Sequence, residues 1–394
     1  MKQPMSKNKT IYLEPSWRMH SFYQELISHP PEGYLFLARQ TTQENTYDKL
    51  AKLNLSYLLQ RKIINRLMPL NLVKAYIERF RKKPDGIDLT YAVNHLVFRK
   101  EPWILDCEYA ATIIGGDNGH LKHFRGTVEK ALKSSYCRGI ICWHNMAKET
   151  LISNLNCEGF ENKIITIPPA TPQKQFVKTF DDSKIKLLFV NSSNISGQFE
   201  RKGGIEVMEA FAALSNKFNN LEMVVRSDLP NEVKNKYIGI KGLRIIDKII
   251  SWQQMEQEFE TADIFVAPTH VTPYQAFLDA MSYELPIITI DAWANSEIVE
   301  NGKTGIVCKK SKIIQYYTKT HLPLWDTHEF TKKIAIADPI VVSEILDKTI
   351  LLIENSILRR KLGAQGRWEV EHGRFSIQHR NEKLKNLFDK ATKE

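Results

Sequence analysis

Two stretches of the sequence gather side chains suited to gripping an anion. The first runs Val190-Asn191-Ser192-Ser193-Asn194-Ile195-Ser196-Gly197-Gln198-Phe199-Glu200-Arg201-Lys202-Gly203-Gly204. An apolar run ends in a polar loop, and two adjacent cations and two glycines lead into a helical pattern. Glycines let backbone N–H groups approach an anion, and the start of a helix offers free N–H groups and partial positive charge. Lys202 adds a mobile full charge. Asn191, Ser192, Arg201, Lys202 and Gly203 are therefore candidate phosphate ligands. The alternative for the same residues is a polar turn with a helix cap.

The second stretch is Ile264–Gly305. A strand-like run ends at Ala267-Pro268, and the loop Thr269–Pro273 opens a helix carrying Asp279. Another apolar run, Pro286–Ile290, leads to Asp291, and Glu297 and Gly302 follow. Polar groups at neighbouring strand ends converge on one ligand in a parallel sheet. A carboxylate at Asp279 could accept from both hydroxyls of a ribose, whereas a solvated helix residue is the plainer alternative. His270 and Thr272 lie in the loop between.

In the first half the candidate acids and bases follow two apolar runs. His95 comes after Leu89–Val93, and Asp106 and Glu108 come at the end of Trp103–Asp106. Each type could orient or deprotonate a hydroxyl. A lone histidine is also common in a purely structural role. His120 and His123, beside Gly115-Gly116-Asp117-Asn118-Gly119, are weaker candidates.

These residues need rigid elements to hold them. Apolar strands are expected at Thr10–Leu13, Tyr34–Ala38, Leu89–Val93, Trp103–Asp106, Gly139–Cys142 and Ile164–Ile167 in the first half. In the second they are expected at Ile185–Val190, Leu221–Val225, Leu243–Ile246, Ile264–Ala267 and Pro286–Ile290. Helical patterns alternate with them, including 122–136, 146–154, 205–214 and 274–283. Strands apolar on both faces, alternating with helices, indicate α/β lobes with parallel sheets. The proline-rich Ile167-Pro168-Pro169-Ala170-Thr171-Pro172 marks a boundary. The expected domains are 1–170, a linker 171–184, a second domain 185–372, and a terminal helical segment 373–394 returning to the first. The insert between Cys308 and Pro339 has no legible pattern.

Bulk properties narrow the function classes. The 394 residues suit two domains, and 43% hydrophobic and 25% charged residues are ordinary for a globular chain. No apolar run reaches the roughly 18 residues of a membrane span, and the N-terminus does not read as a secretory signal. Five scattered cysteines form no CxxC pair, so neither structural zinc nor a disulfide framework is expected. A cytoplasmic location follows. The net charge is +10, and residues 49–83 carry ten Lys or Arg against Glu78 alone. Leu55, Leu59, Ile63 and Leu67, then Val73, Tyr76, Ile77 and Phe80, make two apolar stripes broken at Pro69. Such basic amphipathic helices suit peripheral contact with an anionic membrane, or a core-facing pair with a basic outer face. No motif for nucleic-acid binding accompanies the charge.

The order and spacing of the second-half motifs resemble the retaining glycosyltransferases of family 4. Arg201-Lys202-Gly203-Gly204 resembles that family's Lys-Gly turn, and Ala267-Pro268-Thr269 its Pro-Ser strand end. Asp279-Ala280-Met281 resembles the end of its Glu-x7-Glu motif, and Glu284-Leu285-Pro286-Ile287-Ile288 and Glu297–Gly305 the segments after it. Gly366-Arg367 and Arg374-Phe375-Ser376 are similar to its tail, so the likeness spans about residues 185–380. It implies the GT-B fold: two Rossmann-like lobes, a cleft between them and a last helix reaching back to the first. It also implies a nucleoside-diphosphate sugar as substrate, a glycan or lipid-linked acceptor, no cofactor and no metal. In that reading His95, Asp106 and Glu108 are catalytic candidates. Asn191, Ser192, Arg201, Lys202, Gly203, His270, Thr272 and Asp279 hold the donor. The sequence departs from the pattern in three places. Asn191-Ser192 replaces a Gly-Arg pair, with Arg201 as a substitute cation. Val271 replaces the first glutamate and Asp279 shortens the second. Glu14-Pro15-Ser16-Trp17 stands where a glycine-rich loop is usual. These departures keep two rival readings open, an impaired nucleotide-sugar-binding protein and a sugar-nucleotide epimerase on the same fold. A two-lobed small-molecule binder is a third.

Overall fold

The computed structural model describes residues 8–14, 21–38, 69–191 and 197–393. The chain divides into two compact units, one comprising Met1–Ala170, Lys319–Leu322 and Ile377–Glu394, the other Thr171–Thr318 and Pro323–Ser376.

The first unit holds a six-stranded parallel sheet. Its strands are β1 (Lys9–Glu14), β2 (Tyr34–Ala38), β3 (Leu89–Val93), β4 (Trp103–Cys107), β5 (Cys137–Cys142) and β6 (Ile164–Thr166), in the order β2-β1-β3-β4-β5-β6. The chain runs outward from β1 to β2, then returns to lay β3 on the other side. That reversal puts a topological switch point between β1 and β3. The helix Ile377–Ala391 belongs to this unit. Its Leu384, Leu387, Phe388 and Ala391 pack into the core with Ile11, Leu13, Tyr91, Ile104 and Ile141. Arg380 of the same helix forms a buried ion pair with Glu25, and Tyr34 donates to Asp389 at 2.6 Å.

The second unit repeats the plan with β7 (Ile185–Val190), β8 (Leu221–Arg226), β9 (Leu243–Ile246), β10 (Ile264–Val266), β11 (Ile287–Ile290) and β12 (Gly305–Cys308). All pairs are parallel, in the order β12-β11-β10-β7-β8-β9, so the switch point lies between β7 and β10. β10 and β11 are buried along their whole length, as expected of strands covered on both faces.

Local details correct several expectations. The helical stretch at 122–136 is two helices, Asn118–His123 and Arg125–Lys133, separated at Phe124. β12 was not anticipated. Its Gly305 sits where a Cβ would collide with the Ile287 carbonyl, so a glycine is needed for the strand to pair. Of the basic stretch, residues 49–68 lie outside the described residues. The part after Pro69 forms the helix Leu70–Glu78, which buries Leu72 and Ala75. Tyr76, Ile77 and Phe80 face solvent, Phe80 at 86% exposure, so this stripe does not face the core. Among the described residues no helix is long and apolar enough to cross a membrane. All five cysteines are unpaired and buried.

Candidate functional site

In the second unit the switch point is built from two loops that grip each other. After β7 the chain forms the short helix Gln198–Arg201, turns at Lys202-Gly203, and enters the helix Gly204–Lys217. Gly203 has φ +74°, and a Cβ on it would clash with the carbonyl of Pro268 just beyond β10. Only glycine permits that approach. The His270 N–H donates to the Arg201 carbonyl at 2.9 Å, and Lys202 Nζ donates to the Val271 carbonyl at 2.8 Å. The cation is thereby fixed at the carboxyl side of the sheet, at the mouth between β7 and β10. Thr272 Oγ1 accepts from the Ala294 N–H at 3.2 Å, which ties the β10 loop to the segment after β11.

Asn191, at the end of β7, is buried and donates from Nδ2 to Ser227 Oγ at 3.2 Å. Ser192 lies outside the described residues. Two other sequence candidates are engaged within the protein. Arg201 donates from Nη2 to the Trp325 carbonyl at 2.9 Å and to Asp326 at 2.8 Å, so its charge is matched within the protein. His270 is 0% exposed. Its Nδ1 lies 3.1 Å from the Tyr316 hydroxyl and its Nε2 3.3 Å from Glu206. This histidine is a buried tie between the β10 loop, the helix Gly204–Lys217 and the 308–339 insert, and it cannot also contact a sugar.

Asp279 sits on the helix Tyr274–Ser282 at 6% exposure, and its Oδ1 accepts from Gln275 Nε2 at 2.7 Å. Burial pushes its pKa up to about 7; the Gln275 bond and the Lys174 charge pull the other way without cancelling it. It is a carboxyl poised between its two protonation states near neutrality.

The first unit places its candidates at its own switch point and beside it. His95 follows β3 and is buried, its Nε2 3.4 Å from Glu14 at the end of β1 and its Nδ1 3.3 Å from the Val93 carbonyl. Glu14 also pairs with Arg99, which is held in turn by Glu101 at 2.9 Å. Burial pushes Glu14 up, but the His95 hydrogen bond and charge and the Arg99 guanidinium outweigh it and hold its pKa at about 2. The cluster is a charged network at the strand ends, and residues 15–20 of the adjoining loop lie outside the described residues. Glu108 is half-buried past β4, its N–H donating to Asn94 Oδ1 at 3.0 Å. Asp106 is misplaced by sequence reasoning. Side chains alternate along a strand, so Asp106 shares the face of Ile104 and points into the core. It accepts from Tyr91 Oη at 2.7 Å and Trp143 Nε1 at 2.6 Å, and burial raises its pKa to about 6. Its carboxylate is thus buried and held by two protein donors. His120 and His123 stack edge-on against Phe124.

Residues that sequence reasoning passed over include Glu206, Tyr316, Asp326 and Arg226. Glu206 is 0% exposed two residues into its helix, Tyr316 and Asp326 lie in the insert that carried no legible pattern, and Arg226 ends β8. Among the described residues, no three His, Cys, Asp or Glu side chains form a metal-sized cluster.

Comparison with known proteins adds three findings. The model of the family described as Glycosyl transferases group 1 matches residues 186–321. The capsular polysaccharide biosynthesis glycosyltransferase CapM of Staphylococcus aureus is 24% identical over 262 residues, covering 64% of this chain. The chain spans 58% of the length of that curated relative. Among solved structures, Anabaena HepE in complex with UDP and glucose superposes with a TM-score of 0.58 at 12% identity, over 97% of this chain and 99% of that one. A glycosyltransferase from Rickettsia africae gives 0.54 at 13% identity, over 98% and 99%.

Proposed function

We infer glycosyl transfer from a nucleoside-diphosphate sugar as the reaction of this chain, which has the fold of the GT-B glycosyltransferases and the group 1 segment over 186–321. The observation that carries the reading is the Lys202-Gly203 turn locked against Pro268 and Val271 at the β7/β10 switch point. A lysine and a helix start beside a glycine form a cradle for a leaving diphosphate. Catalysis then consists of positioning and of stabilising charge on that leaving group, without a cofactor. Asp279, in its ionised form, accepts from the ribose hydroxyls. Transfer proceeds with retention and without a metal ion, the charge being carried by protein cations and N–H groups.

The acceptor is a glycan or a lipid-linked glycan. The helix Leu70–Glu78 and the turn after it favour an acceptor held on an anionic membrane. Exposed Ile77 and Phe80 lie among the exposed cations Arg79, Arg81 and Lys82. Apolar side chains flanked by basic ones suit the surface of such a bilayer.

One assay tests the whole reading. Purified protein is incubated with UDP-, GDP- and ADP-sugars and with glycan acceptors, free or displayed on phosphatidylglycerol vesicles. Expected are release of nucleoside diphosphate and a glycoside with the donor's anomeric configuration. Vesicle-held acceptors should turn over faster, an advantage lost in Phe80→Glu. An inverted product would overturn retention, and equal rates in both formats would overturn the membrane role. Nucleotide binding without turnover would support an impaired binding protein, and an epimerised donor an isomerase.

A further inference from the structure

Arg226 ends β8, with its Cα in register with Val190 of β7. Its carbonyl accepts from the Asn191 N–H at 2.8 Å, and its Nη1 donates back to the Asn191 carbonyl at 2.6 Å. The side chain therefore reaches sideways across the end of β7. Both strands end there on the ligand side of the sheet.

No carboxylate neutralises this guanidinium among the described residues. Its Nε is enclosed and has no hydrogen-bond partner there. Burial lowers its pKa, with no acidic neighbour restoring it. Residues 192–196, which follow Asn191 in the sequence and lie outside the described residues, are Ser, Ser, Asn, Ile and Ser, none with negative charge. Other arginines of the same unit are matched: Arg201 to Asp326, Arg244 to Glu258, Arg359 to Asp182 and Arg367 to Glu371. A cation half withdrawn from water without a counter-charge is costly. Its planar fork is shaped for a phosphate or carboxylate.

We propose that Arg226 binds the diphosphate of the nucleotide, approaching from the β8 side while Lys202 and the Gly203 turn hold it from the β10 side. The proposal rests on the donor reading above and supplies a cation at the strand end where Asn191-Ser192 offers none. The bound diphosphate completes the charge balance that the protein leaves open at this arginine.

Isothermal titration of the full chain, as wild type, Arg226→Ala and Arg226→Lys, tests it. The probes are UDP, GDP, ADP, their nucleosides and inorganic pyrophosphate. Loss of a charge-assisted contact predicts about tenfold or more weaker binding of the preferred nucleoside diphosphate in Arg226→Ala. The loss should be smaller in Arg226→Lys, with nucleoside affinity little changed. Melting temperature should not fall, because an uncompensated charge is removed. If Arg226→Ala does not fold, the Lys variant decides by the same contrast between diphosphate and nucleoside. Unchanged diphosphate affinity, or equal losses for diphosphate and nucleoside, would overturn the Arg226 assignment while leaving the donor reading intact. Failure of every probe to bind the wild type would overturn both.

Discussion

Gly203→Ala should lose nucleotide binding and destabilise the second unit together, because one atom offends both. At φ +74° an alanine carries the left-handed penalty of about 1–2 kcal/mol. Its Cβ would also press on the carbonyl of Pro268, which is backbone and cannot rotate away. Relief requires parting the turn after β7 from the loop after β10, which breaks the His270 N–H bond to Arg201 and moves Lys202 off Val271. We expect a cost of ~3 kcal/mol or more, seen as a lower melting temperature, and at least a hundredfold loss of nucleoside diphosphate affinity. Gly197→Ala is the control. Its φ is +73° but nothing lies within 4 Å of the added atom, so only the conformational penalty remains. If the two variants melted alike, the close approach at Pro268 would carry no weight in the site.

Asp279→Asn should stabilise the protein while weakening the ligand. The folded pKa of Asp279, about 7, lies above its ordinary carboxylate value. Below about pH 4 both states are protonated and the group is neutral to stability. Between about 4 and 7 the native state keeps a proton that the unfolded chain has released, so stability falls as pH rises. Above 7 the full penalty of a buried charge remains. Asparagine keeps an oxygen for Gln275 and never ionises. The variant should therefore gain up to about 4 kcal/mol at pH 8, and the gain should vanish towards pH 4. Ribose hydroxyls favour the ionised carboxylate, so wild-type nucleotide affinity should rise about tenfold from pH 6 to 8. In Asp279→Asn it should be weak and flat across that range. A variant that binds nucleotide as well as wild type at pH 8 would remove Asp279 from the ribose site.

How much of this was legible in the sequence depended on how local the cause was. β7, β10 and β11 announce themselves because strands largely buried on both faces are mainly apolar. The Lys202 turn is legible because a glycine pair at a helix start is a local signal. Arg201 and His270 were misjudged because their partners, Asp326 and Tyr316, are 125 and 46 residues away in a segment without periodicity. Asp106 failed for a register reason. The sequence places it at a strand end, but the pleat decides which face it enters, and Tyr91 and Trp143 wait on that face. The helix Leu70–Glu78 shows the same limit from the other side. Its apolar residues cover more than one face, and packing of Leu72 and Ala75 leaves Ile77 and Phe80 outside. Arg226 was invisible because a lone arginine at a strand end has no motif, and its meaning comes from the absence of acids around it among the described residues.

The central claim is that a nucleoside diphosphate binds the second unit at the Lys202 turn. Thermal unfolding of the wild type and Lys202→Ala, with and without UDP, GDP and ADP, tests it most directly. Binding to the native state raises stability by about 2.7 kcal/mol at a hundred times the dissociation constant. The account predicts that at least one of the three raises the wild-type melting temperature, and that the same concentration leaves Lys202→Ala unmoved while its ligand-free melting temperature stays near wild type. Equal shifts in both proteins, or none in the wild type with any of the three, would contradict it.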